Sequence, residues 1–217
     1  MIKYKLATLF MFIIMLCTIE FVSAQELVLK GKTIYIDPGH GGRDPGTIYK
    51  DTKESDINLE IAMELKQELE KQGAKVYLTR IGDYDLSKID TNNHKKSDLL
   101  ERAKLINESE CDIYISIHLN SDTTETWSGA QTFYTNNNKQ NKILATIIQN
   151  KLKETTKTTR KIKELKNMYL FDRIKKTGVL IEAGFLSNAN DRYLLKNKEY
   201  QKRLAQTITE GLIEYYK

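Results

Sequence analysis

Residues 34–42 carry the stretch that decides the fold, Ile34-Tyr35-Ile36-Asp37-Pro38-Gly39-His40-Gly41-Gly42. An apolar run ends there in an aspartate and a histidine inside a glycine-rich turn. The same layout recurs in Ile113-Tyr114-Ile115-Ser116-Ile117-His118 and in Val179-Leu180-Ile181-Glu182. Short apolar runs of this kind are typical of strands buried in a parallel sheet. Ligands bind outside the carboxyl ends of such strands, so the polar residues that end the three runs are expected at one edge of the sheet.

The segments between these runs carry helical patterns. In residues 55–72, apolar side chains recur every four positions from Ile57 to Leu69, with Ser55 placed to cap the helix start and Gly73 its end. Strand and helix patterns alternate along the chain, which predicts α/β architecture. Further predicted elements are a strand at 75–79, helices starting near Ser97 and spanning about 139–153 and 200–216, and an edge strand at 127–135.

The N-terminal residues have the layout of a secretory signal. A positively charged start is followed by an almost unbroken apolar stretch at 6–19 and by small residues, Val22-Ser23-Ala24. We predict that residues 1–24 are a signal peptide, or an uncleaved N-terminal anchor, and that residues 25–217 form one domain. In either case we expect the domain to be exported across the cytoplasmic membrane.

The net charge and the cysteine content disfavour two classes of function. The chain has a formal net charge of +5, an excess too small to indicate nucleic-acid binding. Of its two cysteines, only Cys111 lies outside the predicted signal, so the domain has no intrachain disulfide. An export signal without disulfides favours an exported bacterial enzyme over a small disulfide-stapled module.

His40 lies in a turn whose neighbouring glycines let the backbone bend and approach a ligand closely. Its position directly after a strand favours a functional role over that of a satisfied surface or core histidine. A phosphate-binding loop is the rival interpretation of such a turn. The residues lack the G-x-x-x-x-G-K-[ST] order and do not open directly into a helix, so this rival is weak.

Further polar residues extend the candidate site. His118 ends the second apolar run, and Asn120 after it is either a residue that orients the ligands or a plain turn residue. Glu54 precedes the first predicted helix, where Asp51 and Asp56 compete for the same role. Two imidazoles with a carboxylate form a typical catalytic zinc set that leaves a fourth position for water. Spacing alone leaves the choice among the three carboxylates open.

Glu182 ends the third apolar run, where a carboxylate is destabilising unless it is paired or functional. An apolar surround raises a carboxyl pKa and makes the group a competent general base. The alternative is a structural salt bridge to Arg80 or Arg102.

Taken together, these motifs resemble the zinc-dependent N-acetylmuramoyl-L-alanine amidases, a family of cell-wall hydrolases. The resemblance covers nearly all of the predicted domain. The stretch Trp127-Ser128-Gly129-Ala130-Gln131-Thr132-Phe133-Tyr134 resembles the spore-cortex, germination-specific branch most closely. The matching segments are 36–42, 44–46, Glu54 with 57–59, 79–80, 116–121 and 182–188.

The resemblance implies that His40, Glu54 and His118 bind Zn²⁺ and that Glu182 is the catalytic carboxylate. Arg80 lies in a matching segment and is, like Asn120, a candidate for supporting these residues. The implied fold is a single α/β domain with a central mixed, largely parallel β-sheet flanked by helices on both faces.

The implied activity is hydrolysis of the amide bond between N-acetylmuramic acid and L-alanine in bacterial peptidoglycan. Similarity to the spore-cortex branch implies a role in cortex maturation, by muramic-lactam formation needed for germination, and a location in the cell wall or the forespore intermembrane space. The sequence shows no separate wall-binding module. We therefore expect targeting to fall to the catalytic domain, an N-terminal anchor or a regulatory protein partner.

Three alternatives remain at this point. The first is an amidase of the vegetative cell wall. The second is a zinc peptidase that cuts within the peptide stem, although the chain has no H-E-x-x-H motif. The third is a catalytically silent wall-binding protein, which the intact set of four polar residues disfavours.

Overall fold

A computed structural model describes residues 27–89 and 91–217. The predicted signal peptide lies outside the described residues. The strands are β1 (Thr33–Pro38), β2 (Ile48–Tyr49), β3 (Thr52–Lys53), β4 (Lys75–Leu78), β5 (Ile113–Asn120), β6 (Gln131–Tyr134), β7 (Lys163–Glu164) and β8 (Thr177–Phe185). The helices are α1 (Glu54–Lys71), α2 (His94–Glu108), α3 (Lys139–Thr156), α4 (Ala189–Leu195) and α5 (Lys198–Tyr216).

Six strands form the central sheet, in the order β4-β1-β5-β8-β6-β7. The first four are parallel, β6 runs antiparallel to β8, and β7 runs parallel to β6. The sheet is therefore mixed and largely parallel, which confirms the predicted fold class. It also brings the carboxyl ends of β1, β5 and β8 to one edge.

Alternating side chains divide the core between the two faces of the sheet. Ile34 and Ile36 of β1 belong to a large apolar cluster that includes residues of α1, α3 and α5. Tyr35 between them belongs to a second cluster, with Ala103 and Ile106 of α2. This alternation places helices on both faces, as predicted. Each fully buried aliphatic side chain contributes about 1.5–3 kcal/mol to stability.

The first helix begins one residue earlier than the sequence predicted, and Ser55 is not its cap. Lys53 occupies the N-cap position and makes no side-chain cap bond. The backbone N–H groups of Glu54 and Ser55 instead donate to Thr47 O (2.9 Å) and Pro45 O (3.1 Å). A tertiary loop thus satisfies the donors that a capping side chain usually takes.

The predicted edge strand at 127–135 is wrong in length and position. Strand β6 begins only at Gln131, and β7 pairs with its outer side. Gly129 has a φ of 85°, and its N–H donates to Asp191 Oδ2 at 2.8 Å. Residues 127–129 therefore form a loop above the sheet edge. Asp191 belongs to α4, a helix that the sequence analysis missed.

None of the helices in residues 27–89 and 91–217 combines the length and the apolar content needed to cross a bilayer.

Candidate active site

His40, Glu54 and His118 converge at the carboxyl edge of the sheet. Glu54 Oε1 lies 3.2 Å from His40 Nε2 and 3.1 Å from His118 Nδ1. One ligand atom from each of the three residues lies within 4.8 Å of the others, close enough to hold a single metal ion. Tetrahedral ligands at about 2.0–2.2 Å from zinc are themselves about 3.4 Å apart, and the two separations from Glu54 Oε1 are close to this value.

Glycines allow this close approach. A Cβ atom at Gly39 would lie 2.2 Å from His118 Cε1, and one at Gly46 would lie 2.7 Å from both Glu54 Oε2 and His40 Cδ2. Only glycine leaves room for the side chains of the cluster at these two positions. His40 itself has a φ of 62°, a left-handed conformation that is unfavourable for a residue with a Cβ. The surrounding contacts must hold it there.

Asp44 orients the ring of His40. Its Oδ2 lies 3.0 Å from His40 Nδ1, which leaves Nε2 facing Glu54. Burial opposes protonation of His40, but the hydrogen bonds and charges of Glu54 and Asp44 outweigh it and raise the histidine pKa. A carboxylate on the far nitrogen is the usual way to fix a metal-binding imidazole. The sequence analysis missed this role, although Asp44 follows His40 by only four residues.

Glu54 is 3% exposed and is held by several donors. Leu119 N–H and Asn58 Nδ2 donate to its Oε1 at 3.1 and 3.3 Å, and Thr47 N–H donates to its Oε2 at 3.0 Å. Burial raises the pKa of Glu54, but the bonds and charges of His118 and His40 outweigh it, so the pKa lies far below its usual range. The start of α1 also favours a negative charge. Glu54 is therefore anionic, as a metal ligand must be.

The rival carboxylates lie elsewhere. Asp51 is exposed and its Oδ2 accepts a bond from Lys196 Nζ at 3.3 Å. Asp56 is exposed on α1. Tertiary structure thus decides among the three carboxylates that spacing left open.

Glu182 lies next to His118 in the sheet, since the two residues are direct partners in the β5–β8 register. Its Oε2 is buried and has no hydrogen-bond partner within the described residues. Burial raises the pKa of Glu182 to about 7, with His118 opposing and the Glu54 charge reinforcing the shift. A carboxyl with this pKa both accepts and releases a proton near neutral pH.

The salt bridge considered for Glu182 does not form with either arginine. Arg80 donates to Pro38 O (3.0 Å), Gly39 O (2.9 Å) and Ser55 O (2.8 Å). It therefore ties the turn before His40 to the start of α1, where Glu54 lies. This is a supporting position of the kind that the sequence analysis proposed for Arg80.

Arg102 anchors the same turn from α2. Its guanidinium pairs with Asp37 and Asp98 at 2.8 Å each and donates to Pro38 O (2.8 Å) and His40 O (2.7 Å). Both arginines, Arg80 and Arg102, are only 1% exposed. The sequence analysis missed the supporting role of Arg102 because the pairing spans 65 residues between α2 and β1.

Asn120 does not join the cluster. Its Oδ1 accepts a bond from Ser121 N–H at 2.9 Å, and its carbonyl accepts from Leu186 N–H at 2.8 Å. Within the described residues it makes no hydrogen bond to His118, Glu54 or Glu182. The contacts expected of a ligand-orienting residue are made by Asp44 and Asn58 instead.

Two imidazoles, one anionic carboxylate and one carboxyl of raised pKa at the edge of a parallel sheet form an arrangement that is typical of hydrolases. Residues 34–214 match the family model described as N-acetylmuramoyl-L-alanine amidase. The chain belongs to this family, which confirms the predicted family and activity.

Known relatives agree with this assignment. The germination-specific N-acetylmuramoyl-L-alanine amidase of Bacillus subtilis (strain 168) is 43% identical over 195 residues, covering 88% of this chain and 82% of that protein. The CwlD amidase from Clostridioides difficile, solved in complex with the GerS lipoprotein, has a TM-score of 0.81 and 38% identity, covering 85% of this chain and 98% of that one. An N-acetylmuramoyl-L-alanine amidase from Clostridium difficile 630 has a TM-score of 0.76 and 33% identity, covering 85% and 96%.

Proposed function

We propose that this amidase is zinc-dependent and cleaves the bond between N-acetylmuramic acid and L-alanine in spore-cortex peptidoglycan. The observation that carries the proposal is the cluster of His40, Glu54 and His118 beside the unpartnered carboxyl of Glu182. Similarity to a germination-specific relative supports the cortex as substrate.

The residues present fit a zinc ion. Two imidazole nitrogens and a carboxylate oxygen are the donors of many catalytic zinc sites, and such sites keep one position open. The unpartnered Oε2 of Glu182 lies in a buried environment beside the cluster. His40, Glu54 and His118 would hold the ion. When bound, zinc supplies Lewis-acid chemistry, which polarises the scissile carbonyl and acidifies water.

Glu182 moves the protons in this proposal. Its carboxylate takes a proton from the attacking water and passes it to the leaving nitrogen of L-alanine. The pKa of about 7 suits both steps at neutral pH. Asp44 and Arg80 act only through others, by orienting the ring of His40 and by holding the turn that carries it.

We also propose a cellular location and a protein partner for the enzyme. The signal-like N-terminus supports export to the cell wall or the forespore intermembrane space. The structural neighbour from Clostridioides difficile was solved with a lipoprotein. By this likeness we propose a protein partner for the present chain as well.

The proposed function is tested by digesting purified cortex and vegetative sacculi with the zinc-loaded protein and identifying the products by mass. An amidase releases intact stems that begin with L-alanine, whereas a stem peptidase leaves L-alanine on the glycan. We expect intact stems, faster release from cortex, loss of activity with a chelator and recovery with zinc. Stems cut internally would contradict the amidase assignment. Equal rates on both walls would contradict only the cortex preference.

A further inference from the structure

Arg160 lies close to the candidate active site, and no carboxylate among the described residues forms a salt bridge with it. Its guanidinium packs over the ring of Phe185 at 4.4 Å and that of Trp127 at 5.1 Å. Its Nε donates to Ser128 O at 2.9 Å and its Nη1 to Gln131 Oε1 at 3.2 Å. Both acceptors are neutral oxygens, and within the described residues Arg160 makes no salt bridge.

The sheet register places this arginine on the Glu182 side of the cluster. Glu182 is the direct partner of His118 in β5 and of Gln131 in β6. Direct partners point to the same face, on strands about 4.8 Å apart. The side chains therefore form a row that runs from His118 through Glu182 to Gln131. Arg160, bonded to the Gln131 amide, extends that row away from the histidines.

The backbone that carries these residues is firmly held. The buried Gln149 side chain donates to Arg160 O at 3.1 Å and accepts from Thr132 N–H at 2.6 Å. Nearby, Asp191 Oδ2 accepts from Gly129 N–H and Phe185 N–H at 2.8 Å each. Asp191 Oδ2 is thus engaged with backbone donors, and although the Asp191 charge acts on Arg160, the two side chains form no salt bridge within the described residues.

Trp127 covers the Arg160 guanidinium on the side that faces solvent. Its side chain is 56% exposed, an unusual position for a large indole, and it lies in the loop above the sheet edge. An indole against one face of a guanidinium shields the charge from water, and Nη2 of Arg160, which makes no hydrogen bond within the described residues, stays free to donate to a ligand. The pair is therefore suited to bind a carboxylate.

We propose that Arg160 and Trp127 form a subsite for a free carboxylate on the peptide stem of the substrate. This inference rests on the proposed function. Since Glu182 donates to the leaving L-alanine nitrogen, the departing peptide lies on the Glu182 side of the scissile bond. An extended peptide advances about 3.3–3.6 Å per residue, so the residues that follow L-alanine reach the end of the row at Arg160. The occupant is the carboxylate of an acidic residue after L-alanine.

Binding is measured by tryptophan fluorescence, because Trp127 is the only tryptophan in the chain. The probes are two muramyl tripeptides with amidated C-termini. One carries a free carboxylate on the residue after L-alanine, and the other carries an amide there. The Glu182→Gln protein, loaded with zinc, is titrated with each so that turnover does not interfere. We expect the acidic probe to bind about 10-fold more tightly than the amide, the size of one charge-assisted contact.

Substitutions in the same background assign this preference to Arg160. Arg160→Gln is expected to weaken the acidic probe about 10-fold and to leave the amide probe unchanged, while Arg160→Lys restores part of the difference. Arg173→Gln is the matched control, because Arg173 also packs over an aromatic ring, Tyr169 at 3.6 Å, and donates to a backbone carbonyl. It precedes β8 at the opposite, amino end of that strand.

The results distinguish a failure of the proposed subsite from a failure of the proposed function. Equal affinity for the two probes, no saturable binding of the acidic probe, or an unchanged preference in Arg160→Gln would each overturn the subsite. The two probes are compared first on the Glu182→Gln protein, which still carries Arg160. Misfolding of an Arg160 variant therefore cannot account for equal affinity of the two probes. Product analysis with the unsubstituted enzyme is independent: if it releases L-alanyl stems without preferring acidic ones, the subsite fails and the amidase assignment stands.

Discussion

At the scale of single residues, identical side-chain types acquire different roles from their surroundings. Glu54 and Glu182 are both carboxylates beside the same two histidines. Donors and positive partners push the pKa of Glu54 down, whereas burial without a hydrogen-bond partner raises that of Glu182 to about 7. Pairs of acids with divergent pKa values are typical of catalytic sites. One carboxylate is suited to bind a cation and the other to carry protons.

Replacing Glu182 with Gln should separate chemistry from metal binding. The substitution keeps the shape of the side chain but removes the proton acceptor, so kcat is expected to fall about 10²–10⁴-fold. Zinc content should stay near one ion per chain, because the three proposed ligands are unchanged. Steady-state kinetics and metal analysis measure the two effects, with Glu110→Gln, at an exposed residue before β5, as the control. Full turnover in Glu182→Gln would contradict the assignment of the base.

Replacing Asp44 with Asn should weaken metal binding without removing a ligand. Asp44 contacts the far nitrogen of His40 at 3.0 Å, and losing its charge makes the imidazole a poorer and less well oriented donor. Loss of such a partner typically lowers metal affinity 10–100-fold. A competition assay with a zinc chelator measures the change, and the exposed Asp172→Asn is the control. An affinity equal to that of the unsubstituted protein would show that Asp44 has no orienting role.

At the scale of elements, strand ends and turns create the site. The glycine turn after β1 brings His40 over the start of α1, and β5 and β8 deliver His118 and Glu182 in register. The sequence predicted β1, β5 and β8 well, because each is a nearly continuous apolar run. It predicted Trp127–Thr135 poorly, since the loop at 127–129 is held by Asp191 of a helix distant in the sequence.

Replacing Gly39 with Ala should disrupt the site through packing alone. The added methyl group would lie 2.2 Å from the His118 ring, so the ring or the turn must move. We expect a loss of about 1–3 kcal/mol in unfolding free energy, together with reduced zinc binding. Urea unfolding and metal analysis measure these effects.

The control for this experiment is Gly82→Ala, whose added methyl group would meet only the ring of Tyr84, at 3.4 Å. If Gly39→Ala binds zinc and unfolds as the control does, the close packing of the turn against His118 is not needed for the site.

At the scale of the whole molecule, a buried ion network joins three neighbouring strands, β4, β1 and β5, to helix α2. Asp37 accepts bonds from Thr79 Oγ1 (2.7 Å), Ser116 Oγ (2.9 Å) and Arg102 Nη1 (2.8 Å), which belong to different parts of the chain. Burial raises the pKa of Asp37, but the charge of Arg102 and the hydrogen bonds from Thr79 and Arg102 outweigh it, so the pKa lies below its usual value of 3.8. This network holds the turn that carries His40.

The network makes the free energy of unfolding depend on pH in the acidic range. Because the folded-state pKa of Asp37 is below the unfolded one, the ionised carboxylate stabilises the fold above about pH 4, and this contribution is lost as the pH falls further. Asp37→Asn should lower stability at pH 7 by about 3–5 kcal/mol, since Arg102 loses a buried partner, and should flatten the acid dependence. Urea midpoints from pH 3 to pH 7 measure both. The exposed Asp56→Asn should follow the unsubstituted protein, and an unflattened acid dependence in Asp37→Asn would exclude this role of Asp37.

The sequence by itself determined the α/β fold class, the three buried strands, the family and the two histidines of the cluster. These follow from local patterns, since apolar runs, glycine turns and terminal polar residues are visible within a few positions. Only the tertiary structure decided which carboxylate joins the histidines, where β6 begins, and that Arg102 and Asp44 support His40. Such choices depend on contacts between residues far apart in the sequence or on the orientation of one side chain, and neither leaves a periodic signal along the chain.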